Sequence, residues 1–208
     1  MSFKVKDHYY KKAKDENFAA RSVFKLEEID QKFRLFQTGQ KVLDLGACPG
    51  SWSQYSSKKV GPSGRVLGID LTVIKVKLPN AVFIQADLRD INLENIMKEN
   101  GFEPPFDLVL SDMAPNTIGV RITDQARSFE LCEIALEQAR KYLKPGGHFV
   151  CKLFHSEEFT TLKKEILKSF ERFEAVKPDS TRKISKEIFL VGLKKKKISP
   201  TPTEGVIK

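Results

Sequence analysis

The sequence predicts a doubly wound α/β domain with a mostly parallel, seven-stranded sheet that has an antiparallel edge strand. Three observations support this prediction. Short apolar segments, typical of buried parallel strands, alternate with longer amphipathic segments. Several apolar segments end at an acidic residue, as strands do at a ligand-binding edge of a sheet. A glycine-containing turn joins the first such segment, 41–45, to a helical pattern.

The composition is that of a globular protein. The chain has 208 residues, 40% apolar and 30% charged, which predicts one main folded domain. No apolar run reaches about 18 residues, so we expect no membrane-spanning helix. The sequence begins without the apolar core of a secretion signal, so we expect a cytoplasmic protein; a mitochondrial location would require a presequence. Cys48, Cys132 and Cys151 are widely spaced, which favours free thiols over disulfides or a metal site.

Positive charge is concentrated at the two ends of the sequence. The formal net charge is +9 at pH 7, and lysines fill residues 194–197. We therefore predict a basic N-terminal arm (1–20), a folded domain (21–193) and a basic, disordered tail (194–208). This distribution favours a polyanionic partner such as a nucleic acid.

The first segments combine cations with apolar residues. Residues 8–15 interleave aromatic rings with lysines, as a segment that contacts phosphates and bases would. The alternative is a solvated arm anchored by its tyrosines. Apolar residues in 21–30 have helical spacing, so we predict a helix with Lys25 beside its apolar face.

The turn after the first strand has the features of a nucleoside site. Gly46 and Gly50 are spaced Gly-x-x-x-Gly, which differs from the Gly-x-Gly-x-x-Gly of pyrophosphate sites. Pro49 also lacks the N–H that a phosphate would bind. A nucleoside ligand without a diphosphate fits better, and S-adenosylmethionine is the common one. The alternative is a tight turn without a ligand. A helical pattern starts at Trp52.

Acidic residues follow the next two predicted strands. The strand 65–69 ends at Asp70, where nucleotide-binding α/β domains place the acceptor for ribose hydroxyls; the alternative is a helix cap. The strand 81–85 leads to Asp87, which could accept a hydrogen bond from an adenine amino group. A helical pattern at 91–98 follows.

Polar residues also mark the next two strands. The strand 106–111 leads into Asp112, and the amphipathic helix 122–141 crosses over to the strand 148–154. Lys152 lies inside this apolar strand, which is unfavourable unless its charge is paired or lost. We therefore expect a functional Lys152; the alternative is an edge-strand lysine whose ammonium reaches water.

The last segments are predicted to close the sheet. Residues 156–170 have helical spacing, with Ser156 as the N-cap. Strands at 173–176 and 188–193 would form an antiparallel edge, and Glu187 directly precedes the second of them.

These segments together resemble the FtsJ/RrmJ family of ribosomal RNA 2′-O-methyltransferases, of the large-subunit methyltransferase E type. The matching segments are 10–14, 21–22, 24–26, 43–47, 49–50, 52–55, 111–116, 144–147, Lys152 with Phe154, and 185–187. Their combination is specific, whereas no single one would be. The chain departs from the family pattern at Cys48, where another small residue is usual, and at 155–158, which replaces a glycine-containing loop.

The resemblance implies a Rossmann-like, S-adenosylmethionine-dependent methyltransferase fold without a metal. It implies a catalytic tetrad of Lys25, Asp112, Lys152 and Glu187. The expected cofactor contacts are Asp44, Gly46, Ala47, Pro49, Gly50, Trp52, Asp70, Asp87 and Asp112. The expected RNA contacts are Lys11, Lys12, Lys14 and Arg21.

The implied reaction is methyl transfer to a ribose 2′-hydroxyl, at a uridine in the A loop of 23S-type large-subunit rRNA. The implied protein is a monomer that binds no membrane. One alternative is a tRNA anticodon-loop 2′-O-methyltransferase. Another is a non-catalytic RNA-binding factor of ribosome assembly. A dinucleotide-dependent oxidoreductase is disfavoured because the Gly-x-Gly-x-x-Gly motif is missing.

The chemistry gives each candidate a role. The 2′-hydroxyl is a weak nucleophile, so it must be held in line with the methyl group and its proton must be removed or polarised. Lys152 would be the general base or the group that orients the hydroxyl, with Lys25 beside it and with Asp112 and Glu187 orienting the two lysines. Trp52 would pack near the methionine part of the cofactor; the alternative is a core residue.

Overall fold

The computed structural model describes residues 8–182 and 185–197. The helices within these residues are α1 (His8–Asp15), α2 (Val23–Phe33), α3 (Ser51–Val60), α4 (Leu93–Glu99), α5 (Arg121–Tyr142) and α6 (Phe159–Ser169). The strands are β1 (Lys41–Leu45), β2 (Arg65–Asp70), β3 (Ala81–Gln85), β4 (Phe106–Ser111), β5 (Leu143–Phe154), β6 (Phe170–Val176) and β7 (Glu187–Lys195). Every strand predicted from an apolar segment is present.

The strands form one sheet in the order β3-β2-β1-β4-β5-β7-β6. Strands β1 to β5 pair in parallel, and β7 is antiparallel to both β5 and β6. The predicted doubly wound, mostly parallel, seven-stranded sheet is confirmed, with the antiparallel strand one place in from the edge. The strand order reverses between β1 and β4, and ligands bind at the carboxyl ends of strands at such a reversal.

Helices cover both faces of the sheet. On one face, α2 and α3 enclose a core that contains Phe24, Trp52 and Phe189. On the other, α4, α5 and α6 enclose a core that contains Phe106 and Phe149. The central strands are buried on both sides, which is why their sequences are continuous apolar runs. None of the helices in the described part of the chain is long and apolar enough to cross a membrane.

Two helices begin later than their spacing predicts. Helix α4 begins at Leu93 because the Asn92 side chain caps it, accepting hydrogen bonds from the backbone N–H groups of Glu94 and Asn95 at 3.1 and 3.2 Å. Helix α6 begins at Phe159 with Glu158 at the N-cap position, so the prediction of Ser156 as N-cap is wrong.

The two ends are more ordered than the charge pattern suggests. Helix α1 lies within the predicted arm, and its Tyr9 ring packs 5.5 Å from that of Phe24 on α2. At the other end, β7 includes residues 194 and 195, which are the first two residues of the predicted tail. Lys195 is buried, and its ammonium donates to the carbonyls of Ala139 and Leu143 at 3.2 and 2.7 Å. The rest of the predicted arm and tail, 1–7 and 198–208, lies outside the described residues.

Candidate functional site

The turn after β1 brings two loops close together. Gly46 and Gly50 have φ values of +73° and +111°, in the region that favours glycine. A Cβ on Gly46 would lie only 2.6 Å from Cγ of Met113, in the loop after β4. A Cβ on Gly50 would lie 2.9 Å from a methyl group of Val76, in the loop after β2. The glycines therefore permit a close approach at the reversal of the strand order.

A cavity of about 860 Å³ opens at this edge of the sheet. It is lined by residues from the turn, from the segments after β2, β3 and β4, and from α5. Five of the predicted site residues lie on its wall: Gly46, Asp70, Asp87, Asp112 and Lys152. Cavities of this size hold a nucleoside-sized cofactor.

Asp70 accepts hydrogen bonds from two backbone N–H groups and has further acceptor positions available. Its Oδ2 accepts a hydrogen bond from the Cys48 backbone N–H at 2.9 Å, and its Oδ1 accepts one from the Thr72 N–H at 2.7 Å. Each carboxylate oxygen can accept two hydrogen bonds, so one position on each oxygen is left for a ribose hydroxyl. No helix follows β2 directly, which excludes the helix-cap alternative for Asp70.

Asp87 is paired with Arg89, which the sequence analysis did not identify. The guanidinium donates from Nε to Oδ1 at 3.0 Å and from Nη2 to Oδ2 at 2.5 Å, and the Arg89 backbone N–H also donates to Oδ1 at 3.0 Å. These hydrogen bonds lower the pKa of Asp87 to about 2. One acceptor position on Oδ2 is left for an amino group.

Five of the predicted cofactor contacts do not line the cavity: Asp44, Ala47, Pro49, Gly50 and Trp52. Ala47 and Pro49 lie in the turn between β1 and α3, and Gly50 occupies the N-cap position of α3. Asp44 lies beneath the turn with no exposed surface, and its Oδ2 accepts a hydrogen bond from Ser53 Oγ at 2.6 Å. That these residues contact a bound cofactor stays a prediction.

Trp52 is a core residue, which was the alternative prediction. It is 2% exposed, and its ring packs 5.7 Å from that of Phe189. Its indole N–H donates to the carbonyl of Ser22 at 2.9 Å, at the start of α2. The side chain packs in the core under α2, and it does not line the cavity.

Two of the four predicted catalytic residues form an ion pair at the cavity wall. Lys152 on β5 donates from Nζ to Asp112 Oδ1 at 2.8 Å and to the Asp112 carbonyl at 2.6 Å. The two side chains are only 9% and 17% exposed. The lysine is therefore held by a partner on the neighbouring strand, which excludes an edge-strand lysine that reaches freely into water.

The other two predicted catalytic residues form a second ion pair. The ammonium of Lys25 on α2 contacts Oε1 of Glu187 at the start of β7, and both side chains are almost buried. Glu187 faces Phe154 across the β5–β7 ladder, and Lys152 is two residues before Phe154. Since alternate residues share a face of a sheet, Glu187 and Lys152 lie on the same face. The structure thus brings the two pairs together on the α2 side of the sheet.

Phe189 lies between the two ion pairs and was missed by the sequence analysis. It is directly opposite Lys152 in the β5–β7 ladder, and Lys25 Nζ lies 5.8 Å from the centre of its ring. Its spacing from Glu187 was the available signal, because a residue two positions along a strand shares the same face. The ring supplies an apolar floor that limits water around both ammonium groups.

The predicted RNA contacts lie on the same layer as Lys25. Lys11 and Lys14 are exposed on α1, whereas Lys12 lies 4.3 Å from the ring centre of Phe24 on α2. The guanidinium of Arg21 donates to the carbonyl of Ser180. Burial lowers the pKa of Arg21, with Arg182 adding to this effect and Glu187 opposing it. Arg21 is therefore close to the second ion pair. In the described residues, no cluster of His, Cys, Asp and Glu side chains could hold a metal ion.

The chain matches the family model for FtsJ-like methyltransferases over residues 18–195. It is 71% identical to a ribosomal RNA large subunit methyltransferase E from Bdellovibrio bacteriovorus, over 94% of this chain and 100% of that protein. A protein of the same name from Syntrophobacter fumaroxidans is 48% identical, over 95% of this chain and 100% of the relative.

Solved structures are similar as well. A ribosomal RNA methyltransferase from Plasmodium falciparum is 28% identical, with a TM-score of 0.75 over 86% of this chain and 98% of that one. Fibrillarin from Aeropyrum pernix, solved with bound S-adenosyl-L-methionine, is 19% identical and has a TM-score of 0.55 over 76% of this chain and 67% of that one. The similarity to fibrillarin concerns the fold alone.

Proposed function

The chain belongs to the FtsJ-like methyltransferase family, and from this premise we propose that it transfers the methyl group of S-adenosylmethionine to a ribose 2′-hydroxyl of large-subunit ribosomal RNA. The observation that carries the proposal is the pair of nearly buried ion pairs, Lys152–Asp112 and Lys25–Glu187, beside a nucleoside-sized cavity. The names of the relatives support the RNA class, and we assign the target to a uridine of the A loop.

The residues around the cavity fit S-adenosylmethionine. Asp70 has a free acceptor position on each oxygen for the two ribose hydroxyls, and Asp87 has one for the adenine amino group. Gly46 and Met113 both lie on the cavity wall, and the absence of a Cβ on Gly46 allows the loop after β4 to pack against the turn there. The missing diphosphate motif and Pro49 agree with a ligand that carries no phosphate. When bound, the cofactor supplies an activated methyl group on a sulfonium.

Lys152 is the residue that we assign to the substrate hydroxyl. A lysine head group has three positions for hydrogens or a lone pair, and two of them are directed at Asp112. The third is left for the ribose oxygen, either as an N–H that orients it or as a lone pair that takes its proton. Asp112 lines the cavity next to Lys152 and fixes where this third position points. The ion pair therefore sets the line of attack before the RNA binds.

Lys25 and Glu187 position the other side of the reacting centre. Their ion pair joins α2 to the start of β7, two residues from the apolar ring of Phe189. The carboxylate of Glu187 neutralises the ammonium of Lys25, so that no unpaired cation is left in this nearly buried position. Lys25 can then direct another N–H toward the ribose. The basic surface of α1, with Lys11 and Lys14 exposed, would bind phosphates of the RNA on the same layer.

The test is to locate the transferred methyl group. The protein is incubated with S-adenosylmethionine labelled in the methyl group and with large ribosomal subunits that lack A-loop methylation. The proposal expects label on one nucleotide, in a dinucleotide that resists alkaline hydrolysis because its 2′-oxygen is methylated. Label on a base, or label on tRNA instead of ribosomal RNA, would overturn the assigned target.

A further inference from the structure

Asp44 is a buried carboxyl group with few partners. It has no exposed surface, and its only hydrogen bond within the described residues is the 2.6 Å contact from Ser53 Oγ to Oδ2. Its Oδ1 has no hydrogen-bond partner in this part of the chain. A buried ionised carboxylate requires charged or multiple donors, and a single neutral hydroxyl is weak compensation. The surroundings therefore favour the protonated acid when the cavity is empty.

The charged groups that face Asp44 are acids. In the sheet, Asp44 is opposite Gly68 on β2 and Leu110 on β4. Asp70 is two residues further along β2 and so shares a face with Gly68, and Asp112 directly follows the end of β4; both line the cavity. Asp112 itself is paired with Lys152, whose ammonium donates to Asp112 Oδ1 at 2.8 Å.

These neighbours change how Asp44 titrates. From helix α3, the hydroxyl of Ser53 donates to Asp44. Burial raises the pKa of Asp44 to about 7; the hydrogen bond from Ser53 opposes this increase, and Asp112 and Asp70 add to it. Near neutral pH, a small change in the local charge is therefore enough to move the proton on or off.

The reaction itself changes the local charge. On the proposed function, the donor carries a sulfonium and the product a neutral thioether, while the adenosine, the ammonium and the carboxylate are the same in both. Both molecules would occupy the cavity, whose wall includes Gly46, two residues after Asp44, and the acids Asp70 and Asp112. The sulfonium adds one positive charge next to a group of acids, which favours the ionised form of a nearby carboxyl group.

We propose that Asp44 distinguishes the methyl donor from the product by its charge. Asp44 releases its proton to solvent when the sulfonium enters the cavity, which strengthens donor binding. After methyl transfer the sulfur is neutral, and Asp44 takes up one proton from solvent again. The product then loses the electrostatic contribution that held the donor, so exchange of product for donor is favoured in each cycle.

The test measures proton release on binding. The wild-type protein is titrated with S-adenosylmethionine and, separately, with S-adenosylhomocysteine, in buffers that differ in ionisation enthalpy. With a pKa near 7 in the empty protein, donor binding is expected to release about 0.8 proton at about pH 6.5 and about 0.1 proton at about pH 8. Product binding is expected to release almost none. The donor-to-product affinity ratio should fall roughly tenfold between about pH 8 and about pH 6.

Two variants assign the proton to Asp44. Asp44→Asn should abolish the difference in proton release between the two ligands. Ser53→Ala keeps the carboxyl group but removes the hydrogen bond that stabilises its ionised form, so proton release should persist at higher pH. Ser53→Ala serves as the test if Asp44→Asn does not fold.

Each outcome is decisive. Equal proton release by donor and product, or wild-type release in Asp44→Asn, would overturn the inference while leaving the proposed function intact. A protein that does not bind S-adenosylmethionine at any pH would overturn the cofactor assignment, and this inference with it.

Discussion

Replacing Trp52 separates a core role from a role in ligand binding. The Trp52→Phe variant loses the hydrogen bond from the indole N–H to the Ser22 carbonyl and part of the ring that packs on Phe189. The Ser22 carbonyl still accepts from the Lys25 N–H at 3.1 Å, so it is not left without a partner. The lost hydrogen bond is worth about 1 kcal/mol. The smaller ring costs about 1–2 kcal/mol more, which gives a loss of about 2–3 kcal/mol in the free energy of unfolding.

The assay combines stability with cofactor affinity. Trp52 is the single tryptophan of the chain, so urea unfolding of the variant is followed by far-ultraviolet circular dichroism instead of fluorescence. The affinity for S-adenosylhomocysteine is measured by calorimetry and is expected to stay within about threefold of the wild type, because Trp52 does not line the cavity.

Gly46→Ala is the matched control for this prediction. Its Cβ would lie 2.6 Å from Met113 at the cavity wall, so ligand affinity should fall at least roughly tenfold. If Trp52→Phe weakened the ligand as much as Gly46→Ala while leaving the unfolding free energy unchanged, our placement of Trp52 in the core would be refuted.

Three further predictions concern stability and RNA binding. Lys195→Met should lower the unfolding free energy in urea by about 3 kcal/mol, because carbonyls of the last turn of α5 lose a buried donor; a loss below about 1 kcal/mol would contradict this. Burial lowers the pKa of His148, with Lys194 adding to the effect, so the stability that comes from its neutral form is lost as the pH falls through the unfolded value of about 6.5. His148→Gln should therefore lose less thermal stability than the wild type between about pH 7 and pH 5, and equal losses would refute the assignment. Replacing Lys11 and Lys14 together by alanine should weaken RNA binding and reduce its salt dependence by about one counterion per lost contact; an unchanged slope in a salt titration would exclude α1 from the interface.

The fold was predictable because its signals are local. Each parallel strand is buried on both faces, so its sequence is an apolar run, and Asp70 and Asp112 mark where β2 and β4 end. The same pattern predicted where the cavity lies, since the carboxyl ends of these strands meet at the reversal of strand order. The pairing of Lys152 with Asp112 agrees with the argument that a lysine in an apolar strand requires a partner.

Which side chains are buried and which line the cavity was not predictable in the same way. Asp44 and Trp52 lie within the same motif as Gly46, and sequence spacing does not show which of the three lines the cavity. Their positions depend on how α2 and α3 pack, which involves residues far apart in the chain. The contact between Lys25 and Glu187 is of this kind too, and it was expected from the family resemblance and not from spacing.

The distribution of charge along the sequence was the least reliable guide to how individual residues are placed in the fold. The four consecutive lysines at 194–197 suggested a disordered tail, but Lys195 is buried as a donor to the end of α5. A lysine can serve this purpose because its ammonium satisfies several carbonyls that a helix end leaves free. Similarly, the charge pattern did not single out Arg89, which pairs with the predicted adenine acceptor Asp87.

The central claim is that Lys152, held by Asp112, acts on the substrate hydroxyl. The most direct measurement is the single-turnover rate of methyl transfer to undermethylated large ribosomal subunits for Lys152→Met, with S-adenosylhomocysteine affinity measured in parallel. Lys144→Met is the control, because Lys144 lies at the other end of β5 and pairs with Asp107 on the surface. We expect Lys152→Met to lose about 10²–10⁴-fold in rate with ligand affinity nearly unchanged, and Lys144→Met to keep the wild-type rate. A Lys152→Met rate within about fivefold of the control would contradict the account.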